Sequence, residues 1–151
     1  MFDIRLACSE DLAAVEALVA VAYVQYIPLI GQKPGPMSDD YSALIEKRCV
    51  YVLSDENTPA GMLVLLPEDE AMLLDNVAVH PDSQGRGYGR ALIAFAERLS
   101  IERGFKAIRL YTNEVMTENI RLYERLGFAE THRAEEKGFR RVYMTKPLAP
   151  S

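Results

Sequence analysis

The feature that most constrains the fold is a glycine-rich loop between a strongly apolar strand and a long helix. The strand is predicted over residues 73–79, the loop over residues 84–89 and the helix over residues 87–103. Glycines at alternate positions allow the loop backbone to approach a ligand closely and to adopt positive φ angles. The N–H groups of the first helical turn then face outward at the positive end of the helix dipole. This arrangement predicts an anion site that suits a pyrophosphate.

The loop consists of Gln84, Gly85, Arg86, Gly87, Tyr88 and Gly89, and Arg90 follows it directly. The guanidinium groups of Arg86 and Arg90 can form charge-assisted hydrogen bonds with phosphate oxygens. Two common nucleotide motifs do not match. A Walker A loop needs lysine after its last glycine, and a dinucleotide fingerprint needs another glycine at the position that Arg90 occupies. Taken alone, the loop leaves a tight structural turn as the alternative.

Patterns of apolar residues divide the rest of the chain into strands and helices. Ile4 and Leu6 indicate a first strand, and Ser9 is predicted to cap the first helix. Residues 26–37 contain three prolines and two glycines and are predicted to form a loop. Ser38 is predicted to cap a second, shorter helix. Further strands are predicted over residues 50–53, 61–66, 106–112, 128–131 and 140–145, and a last helix over residues 117–126.

The order of these elements predicts an α/β fold. The segment from residue 79 to residue 108 has the form of a strand-helix-strand crossover. The length of 151 residues fits one compact domain, and no linker, repeat or low-complexity block divides it. We therefore expect a single domain over residues 1–151.

Charge and composition exclude several classes of protein. The formal net charge of -5 argues against electrostatic binding to nucleic acid. No apolar run reaches the roughly 20 residues that span a bilayer, and the first residues lack a signal-peptide pattern. Cys8 and Cys49 match no metal-ligand spacing, so no metal is expected and both thiols are predicted to be reduced and buried. We expect a cytoplasmic protein with no nucleic-acid or membrane partner.

Two segments resemble motifs of the GNAT acyltransferase superfamily. Residues 77–92, with Pro81 before the glycine loop, resemble the pyrophosphate motif of that family together with its preceding strand. Residues 119–128 resemble the late helix of the family. The resemblance implies a single GNAT-like domain with a mixed central sheet of about six to seven strands. It also implies that the sheet is splayed near the cofactor and flanked by about four helices.

The resemblance implies an N-acetyltransferase that uses acetyl-CoA as its cosubstrate. The strand segment Val77, Ala78 and Val79 is assigned to the cofactor, with backbone groups of Val77 and Val79 facing the acyl carbonyl and the pantetheine amides. The pyrophosphate is assigned to the backbone of residues 84–90, namely Gln84, Gly85, Arg86, Gly87, Tyr88, Gly89 and Arg90. The expected acceptor is the primary amine of a small molecule or of a peptide.

Tyr123 is predicted by the resemblance to act as the general acid toward the leaving thiolate. A phenol with a pKa near 10 can protonate a thiolate of similar basicity. The alternative is that Tyr123 is a core aromatic residue. Asn119 lies one turn earlier on the same helix face and is assigned to the cofactor. The family often has its cofactor-binding asparagine seven residues before the tyrosine, where this chain has Met116, and a solvated asparagine is the alternative for Asn119.

The general base is left open by the sequence. Positions at which relatives carry a catalytic glutamate are Leu73 and Tyr111 in this chain. Asp75 is the nearest carboxylate, with a purely structural carboxylate or an ordered water as alternatives. His80 is expected to be a surface residue.

The acceptor side is also left open. The loop over residues 26–37, with Tyr23, Tyr26 and Tyr41 around it, either lines a pocket or packs onto the sheet. Residues 140–143 form either a hairpin strand or part of a homodimer contact. A non-catalytic acyl-CoA-binding sensor is the second hypothesis: the residues at positions 73 and 111 favour it, and Tyr123 counts against it.

Overall fold

The computed structural model describes residues 1–149 and shows a mixed sheet of seven strands with helices. The strands are β1 (Phe2–Leu6), β2 (Val50–Asp55), β3 (Thr58–Pro67), β4 (Ala71–Val79), β5 (Ala107–Asn113), β6 (Ala129–Glu136) and β7 (Phe139–Pro147). The helices are α1 (Leu12–Tyr23), α2 (Ile27–Ile30), α3 (Tyr41–Glu46), α4 (Tyr88–Glu102) and α5 (Thr117–Arg125). The strand order is β1-β2-β3-β4-β5-β7-β6. This architecture confirms the predicted α/β fold class.

The described chain divides into two compact units, with boundaries inside β3, β4 and α4. The first unit holds Met1–Leu65 and Asn76–Ala96. The second holds Leu66–Asp75 and the described residues from Glu97 onward. The single domain over residues 1–151 stays a prediction.

In the first unit, β1, β2 and β3 form an antiparallel meander. β2 and β3 are joined by Glu56 and Asn57, whose φ angles are both positive, at 53° and 68°. Two consecutive positive φ values are typical of two-residue hairpin turns, because their twist matches the twist of the flanking strands. β2 and β3 supply much of the core through Val50, Val52, Leu53, Met62, Leu63 and Val64, all of which are completely buried.

Both helix caps predicted at serines are wrong. The first helical turn, Ser9–Asp11, is preceded by Cys8, whose backbone N–H donates to the Asp11 carboxylate at 2.8 Å. α3 is capped by Asp40, whose Oδ1 accepts a backbone N–H at 3.1 Å, while Ser38 lies in an earlier turn. Aspartate and serine are equally good caps, so a nearby acidic residue can take the role from a serine.

The two cysteines differ in exposure. Both are free thiols, and Cys49 is buried as predicted. Cys8 is exposed, which contradicts the prediction. Its backbone is extended, and the residue directly precedes the first helical turn.

Residues 26–37 contain short helical turns, so the prediction of a continuous loop is wrong. α2 has Pro28 in its first turn and ends at Gly31, and a 3-10 turn covers Gly35–Ser38. Proline fits the first turn of a helix because the N–H that it lacks would have no partner there. The prolines that suggest a loop therefore also start these turns.

The helical stretch Ser9–Ile30 has the length and composition of a membrane-spanning helix. In the structure, however, Val15, Leu18, Val19 and Tyr23 are buried within the first unit. A core helix of a globular domain meets the same criteria of length and composition. The stretch therefore does not indicate a membrane protein.

In the second unit, β5 lies between β4 and β7. It runs parallel to β4, and the register pairs Ala71–Leu74 with Ala107–Leu110. That register ends at Leu74, as the predicted splaying of the sheet requires. β5 and β6 each pair with β7 in antiparallel fashion, so residues 140–143 belong to a hairpin strand. The homodimer contact stays a prediction.

A buried asparagine connects three segments of the first unit. Asn76 on β4 is 4% exposed. Its Nδ2 donates to the Tyr41 hydroxyl at 2.9 Å, and its Oδ1 accepts from the Tyr23 hydroxyl at 2.5 Å. The Tyr41 hydroxyl in turn donates to the carbonyl of Pro36 at 2.5 Å. Of the two roles considered for Tyr23 and Tyr41, these contacts support packing of the loop onto the sheet.

We expect Asn76→Ala to lower the free energy of unfolding by about 2 kcal/mol, because it removes two buried hydrogen bonds. Tyr41→Phe also removes two hydrogen bonds, those with Asn76 and Pro36, and is expected to have an effect of similar size. Urea unfolding followed by circular dichroism measures both. The exposed Gln25→Ala is the control, and an Asn76→Ala protein as stable as that control would contradict the prediction.

Candidate active site

The end of β4 leads directly into the glycine loop. The His80 N–H donates to the carbonyl of Ala60 on β3 at 2.8 Å, which carries the pairing one residue past the end of β4. His80 Nδ1 accepts the Asp82 N–H at 3.1 Å, and a 3-10 turn follows over Pro81–Ser83. His80 therefore acts as a cap at the half-buried edge of the fold. It is half-buried, whereas the sequence analysis expected a surface residue.

The glycine loop has the backbone geometry that an anion site needs. The φ angles of Gly85 and Gly87 are 86° and 80°, a region that side chains rarely allow. A Cβ added at either position, or at Gly89, would have no heavy atom within 4 Å. The first backbone bond at the start of α4 is donated by the Ala91 N–H to the Gly87 carbonyl at 3.0 Å. The N–H groups before Ala91 therefore lie at the open N-terminus of a 15-residue helix.

The side chains of the loop divide into an exposed set and one buried member. Gln84, Arg86 and Arg90 are exposed and can reach a ligand. Tyr88 is only 5% exposed, and its hydroxyl donates to the carboxylate of Asp55 at the end of β2. Of Tyr88, only the backbone is therefore available to a cofactor. The sequence analysis did not identify Asp55, because an acidic residue before a hairpin turn carries no distinctive signal.

The β4 residues that precede the loop alternate in burial. Ala78 is buried, whereas Val77 and Val79 are half-buried. The carbonyl of Val77 accepts a hydrogen bond from the Tyr23 hydroxyl at 3.0 Å. A Cβ added to Gly61 on β3 would lie 3.1 Å from the Ala78 carbonyl, so β3 packs closely against this part of β4.

In the second unit, Asn119 and Tyr123 lie four residues apart on α5, and both are half-buried. The Tyr123 ring contacts Phe128 edge to face, with centroids 5.9 Å apart. The Asn119 Nδ2 donates to the Met116 sulfur at 3.7 Å. Met116 is itself buried and also accepts from Thr112 at 3.5 Å, so the residue at the family's usual asparagine position is part of the core.

Asp75 is a half-buried carboxylate of the second unit. Its Oδ1 accepts from the Tyr111 hydroxyl at 3.2 Å. Burial raises the pKa of the Asp75 carboxyl, while the hydrogen bond from Tyr111 and the charge of Arg141 act in the opposite direction. The charge of Glu68 adds to the rise of this pKa. A raised pKa at a carboxyl with a defined partner is typical of acid-base sites.

Arg141, whose charge lowers the pKa of Asp75, belongs to a cluster of aromatic and charged residues on β5, β6 and β7. Its guanidinium carbon lies 4.1 Å from the centroid of the Tyr111 ring, within cation-π distance. Arg141 also donates to Glu136 at 3.0 Å, and the Tyr143 hydroxyl donates to the same carboxylate at 2.5 Å. The Tyr143 ring stacks on His132 with centroids 4.4 Å apart. The sequence analysis missed this cluster because its members come from three strands with no common motif.

Comparison with known proteins identifies the family. A sequence model of the acetyltransferase (GNAT) family matches residues 16–128. The chain belongs to the GNAT family. The predicted resemblance is thereby confirmed, and the matched range contains both the glycine loop and α5.

Known GNAT proteins resemble the chain in different ways. The ribosomal-protein-S18-alanine N-acetyltransferase of Escherichia coli has a TM-score of 0.81 and 22% identity, covering 100% of this chain and 96% of that one. The PaiA N-acetyltransferase of Thermoplasma acidophilum was solved in complex with coenzyme A. It has a TM-score of 0.82 and 16% identity, covering 97% of this chain and 99% of that one. At these identities the likeness shows the GNAT fold alone.

Higher identity is found over shorter stretches of larger proteins. The mycothiol acetyltransferase of Cellulomonas flavigena is 40% identical over 65 residues, which are 43% of this chain and 19% of that protein. The enzyme of the same name from Nocardia farcinica is 33% identical over 81 residues, which are 54% of this chain and 23% of that protein. The chain therefore matches only about a fifth of the length of these curated relatives.

Two of the three glycines of the loop, Gly87 and Gly89, offer a direct test of its geometry. We expect Gly87→Ala to lower the free energy of unfolding by about 1 kcal/mol, because alanine is strained at a φ of 80°. Gly89→Ala is expected to leave stability unchanged or to raise it, since alanine favours the helix and meets no neighbouring atom. Urea unfolding of both variants measures the difference, and equal effects would contradict the described loop.

Proposed function

We propose that this GNAT protein transfers the acetyl group of acetyl-CoA to a primary amine of a small molecule or a peptide. The observation that carries the proposal is the glycine loop at the start of α4, which lies within the range of the family match. A cytoplasmic location belongs to the same proposal, and so does an acceptor related to that of the mycothiol acetyltransferases.

The loop fits the pyrophosphate of coenzyme A. Gly85 and Gly87 leave the backbone open, and the start of α4 offers N–H groups at the positive end of a helix dipole. The exposed guanidinium groups of Arg86 and Arg90 add charge-assisted bonds to the phosphate oxygens. In this proposal, Gln84, Tyr88 and Gly89 contribute through the backbone of the same segment.

Val77, Ala78 and Val79 are proposed to hold the acetyl and pantetheine part through their backbone. Because the Val77 carbonyl already accepts from Tyr23, its N–H is the group that we assign to the acetyl oxygen. An N–H donor that stabilises an oxyanion contributes about 3 kcal/mol to acyl transfer. Asn119 is proposed to contact the cofactor from α5.

The chemical step requires one proton acceptor and one proton donor. We assign the acceptor role to Asp75, which takes a proton from the ammonium group of the acceptor. The free amine then attacks the acetyl carbonyl, a C–N bond forms, and the C–S bond breaks after the tetrahedral intermediate. Tyr123 gives its proton to the leaving thiolate, in accordance with the similar pKa of phenols and thiols. The second proton of the attacking nitrogen then passes to the Tyr123 phenolate, so that the products are a neutral amide and a free thiol.

A non-catalytic acyl-CoA sensor is the second candidate. Leu73 and Tyr111, which stand where relatives carry a carboxylate, favour it. Release of free thiol from acetyl-CoA across a panel of amines separates the two candidates. An enzyme releases thiol with at least one amine, whereas a sensor binds coenzyme A and releases none.

We expect Tyr123→Phe to lower kcat at least tenfold while the affinity for coenzyme A stays within twofold, because only the proton donor is lost. Steady-state kinetics at saturating substrates and calorimetric binding of coenzyme A measure the two quantities. Tyr51→Phe, which removes a phenol from the core of the first unit, is the matched control. An unchanged kcat would remove the acid role from Tyr123.

We expect kcat to fall as the pH drops through the pKa of Asp75, because only the carboxylate accepts a proton. Burial raises this pKa, so activity is lost at a higher pH than an ordinary aspartate with a pKa of about 4 would give. Tyr111→Phe removes a bond that favours the charged form and is expected to move the acidic limb to still higher pH.

The profile of kcat against pH measures this shift for the wild type and for Tyr111→Phe. Asp75→Asn is expected to lower kcat at least a hundredfold, and Asp69→Asn, at an exposed aspartate of the same unit, is the control. If Tyr111→Phe does not move the acidic limb of the kcat profile, the base is a group other than Asp75.

A further inference from the structure

Tyr88 is the one residue of the glycine loop whose side chain points into the protein. Its neighbours in the loop, Gly87 and Gly89, are exposed or half-buried, whereas Tyr88 is 5% exposed. The Tyr88 ring contacts the Phe2 ring edge to face, with centroids 5.4 Å apart. As the first residue of α4, Tyr88 connects the loop to the core of the first unit.

The Tyr88 hydroxyl is hydrogen-bonded to a carboxylate. It donates to Oδ2 of Asp55, the last residue of β2 before the hairpin turn. This bond lowers the pKa of Asp55 and raises the pKa of Tyr88. At neutral pH the contact is therefore a hydrogen bond from a neutral phenol to a carboxylate, a charge-assisted type that is stronger than a neutral pair.

The same carboxylate also faces Arg86. The Arg86 Nη1 lies 3.8 Å from Asp55 Oδ2, and the Arg86 side chain is 60% exposed. An exposed ion pair at this distance contributes little to stability. In the structure, the pair places the guanidinium beside the Asp55 carboxylate while leaving it accessible. Asp55 thus contacts both residues that flank Gly87, the residue with a φ of 80°.

The open side of the loop has little packing to hold it. A Cβ at Gly85 or Gly87 would meet no heavy atom within 4 Å, so steric contact on that side does not restrict the backbone. A binding site that depends on backbone N–H groups needs them held within about 0.5 Å of the productive geometry. Beside the backbone bond from the Gln84 N–H to the Pro81 carbonyl, the hydrogen bond of the Tyr88 side chain and the ion pair of Arg86 restrain the loop, and both of these go to Asp55.

We propose that Asp55 is a positioning residue for the pyrophosphate loop, which it fixes through Tyr88 while orienting Arg86 toward the phosphates. The inference rests on the proposed use of coenzyme A and adds a residue from outside the motif. It predicts that a change at Asp55 weakens the binding only of ligands that carry the pyrophosphate. Acetylpantetheine, which lacks that group, provides the comparison.

The test compares KM and kcat for acetyl-CoA and acetylpantetheine in the wild type and three variants. Asp55→Ala is expected to raise the KM for acetyl-CoA at least fivefold, with kcat and the KM for acetylpantetheine within twofold. Tyr88→Phe, which keeps the ring and loses the bond, is expected to act in the same direction. Asp55→Asn keeps an oxygen acceptor and is expected to have a smaller effect. Glu56→Gln removes a neighbouring charge and is the control.

Two results would overturn the inference. An equal rise of KM for both donors would show a general structural effect, and unchanged values would show that Asp55 does not position the loop. If Asp55→Ala fails to fold, Tyr88→Phe and Asp55→Asn test the same role of Asp55. Calorimetric binding of coenzyme A separates the two proposals. A wild type that binds no coenzyme A overturns the proposed function, whereas binding that is indifferent to Asp55 overturns this inference alone.

Discussion

The first unit depends on the requirement that a buried amide makes its hydrogen bonds inside the protein. Asn76 meets this requirement with the hydroxyls of Tyr23 and Tyr41. Because an unsatisfied amide in the core is costly, the end of α1 and the start of α3 must lie where these hydroxyls reach β4. The Tyr41 hydroxyl also donates a hydrogen bond to the Pro36 carbonyl, and the Tyr23 hydroxyl donates one to the Val77 carbonyl. One polar residue therefore fixes two helices, a loop and the strand assigned to the cofactor.

The acidic residues of the two units illustrate how partners determine the role of a carboxylate. Asp55 is bound by a phenol and faces a guanidinium, and its pKa is lowered. Asp75 also accepts from a phenol, but burial outweighs that bond and its pKa is raised. A carboxylate that stays charged suits the orientation of a loop. A carboxylate with a raised pKa suits the transfer of a proton.

Much of the fold could be predicted from the sequence because glycine positions and apolar periodicity are local signals. The strand, the loop and α4 follow from such signals. β6 was predicted too short, because residues 129–136 are almost all exposed and show no apolar alternation. The orientation of Tyr88 was not predictable, since a tyrosine in a loop can face either solvent or the core. The partners of Asp75 and Asp55 lie 36 and 33 residues away in the chain, and no local pattern reports such contacts.

The burial of Tyr88 has a consequence for protein engineering. The loop has one side that consists of exposed residues and another that belongs to the core. Changes at Gln84, Arg86 or Arg90 alter exposed side chains without leaving a cavity, although a change at either arginine also removes a charge that we assign to the pyrophosphate. A change at Tyr88 must also refill the space beside Phe2 and provide a new partner for Asp55. Diversity at that position is therefore best introduced together with its neighbours.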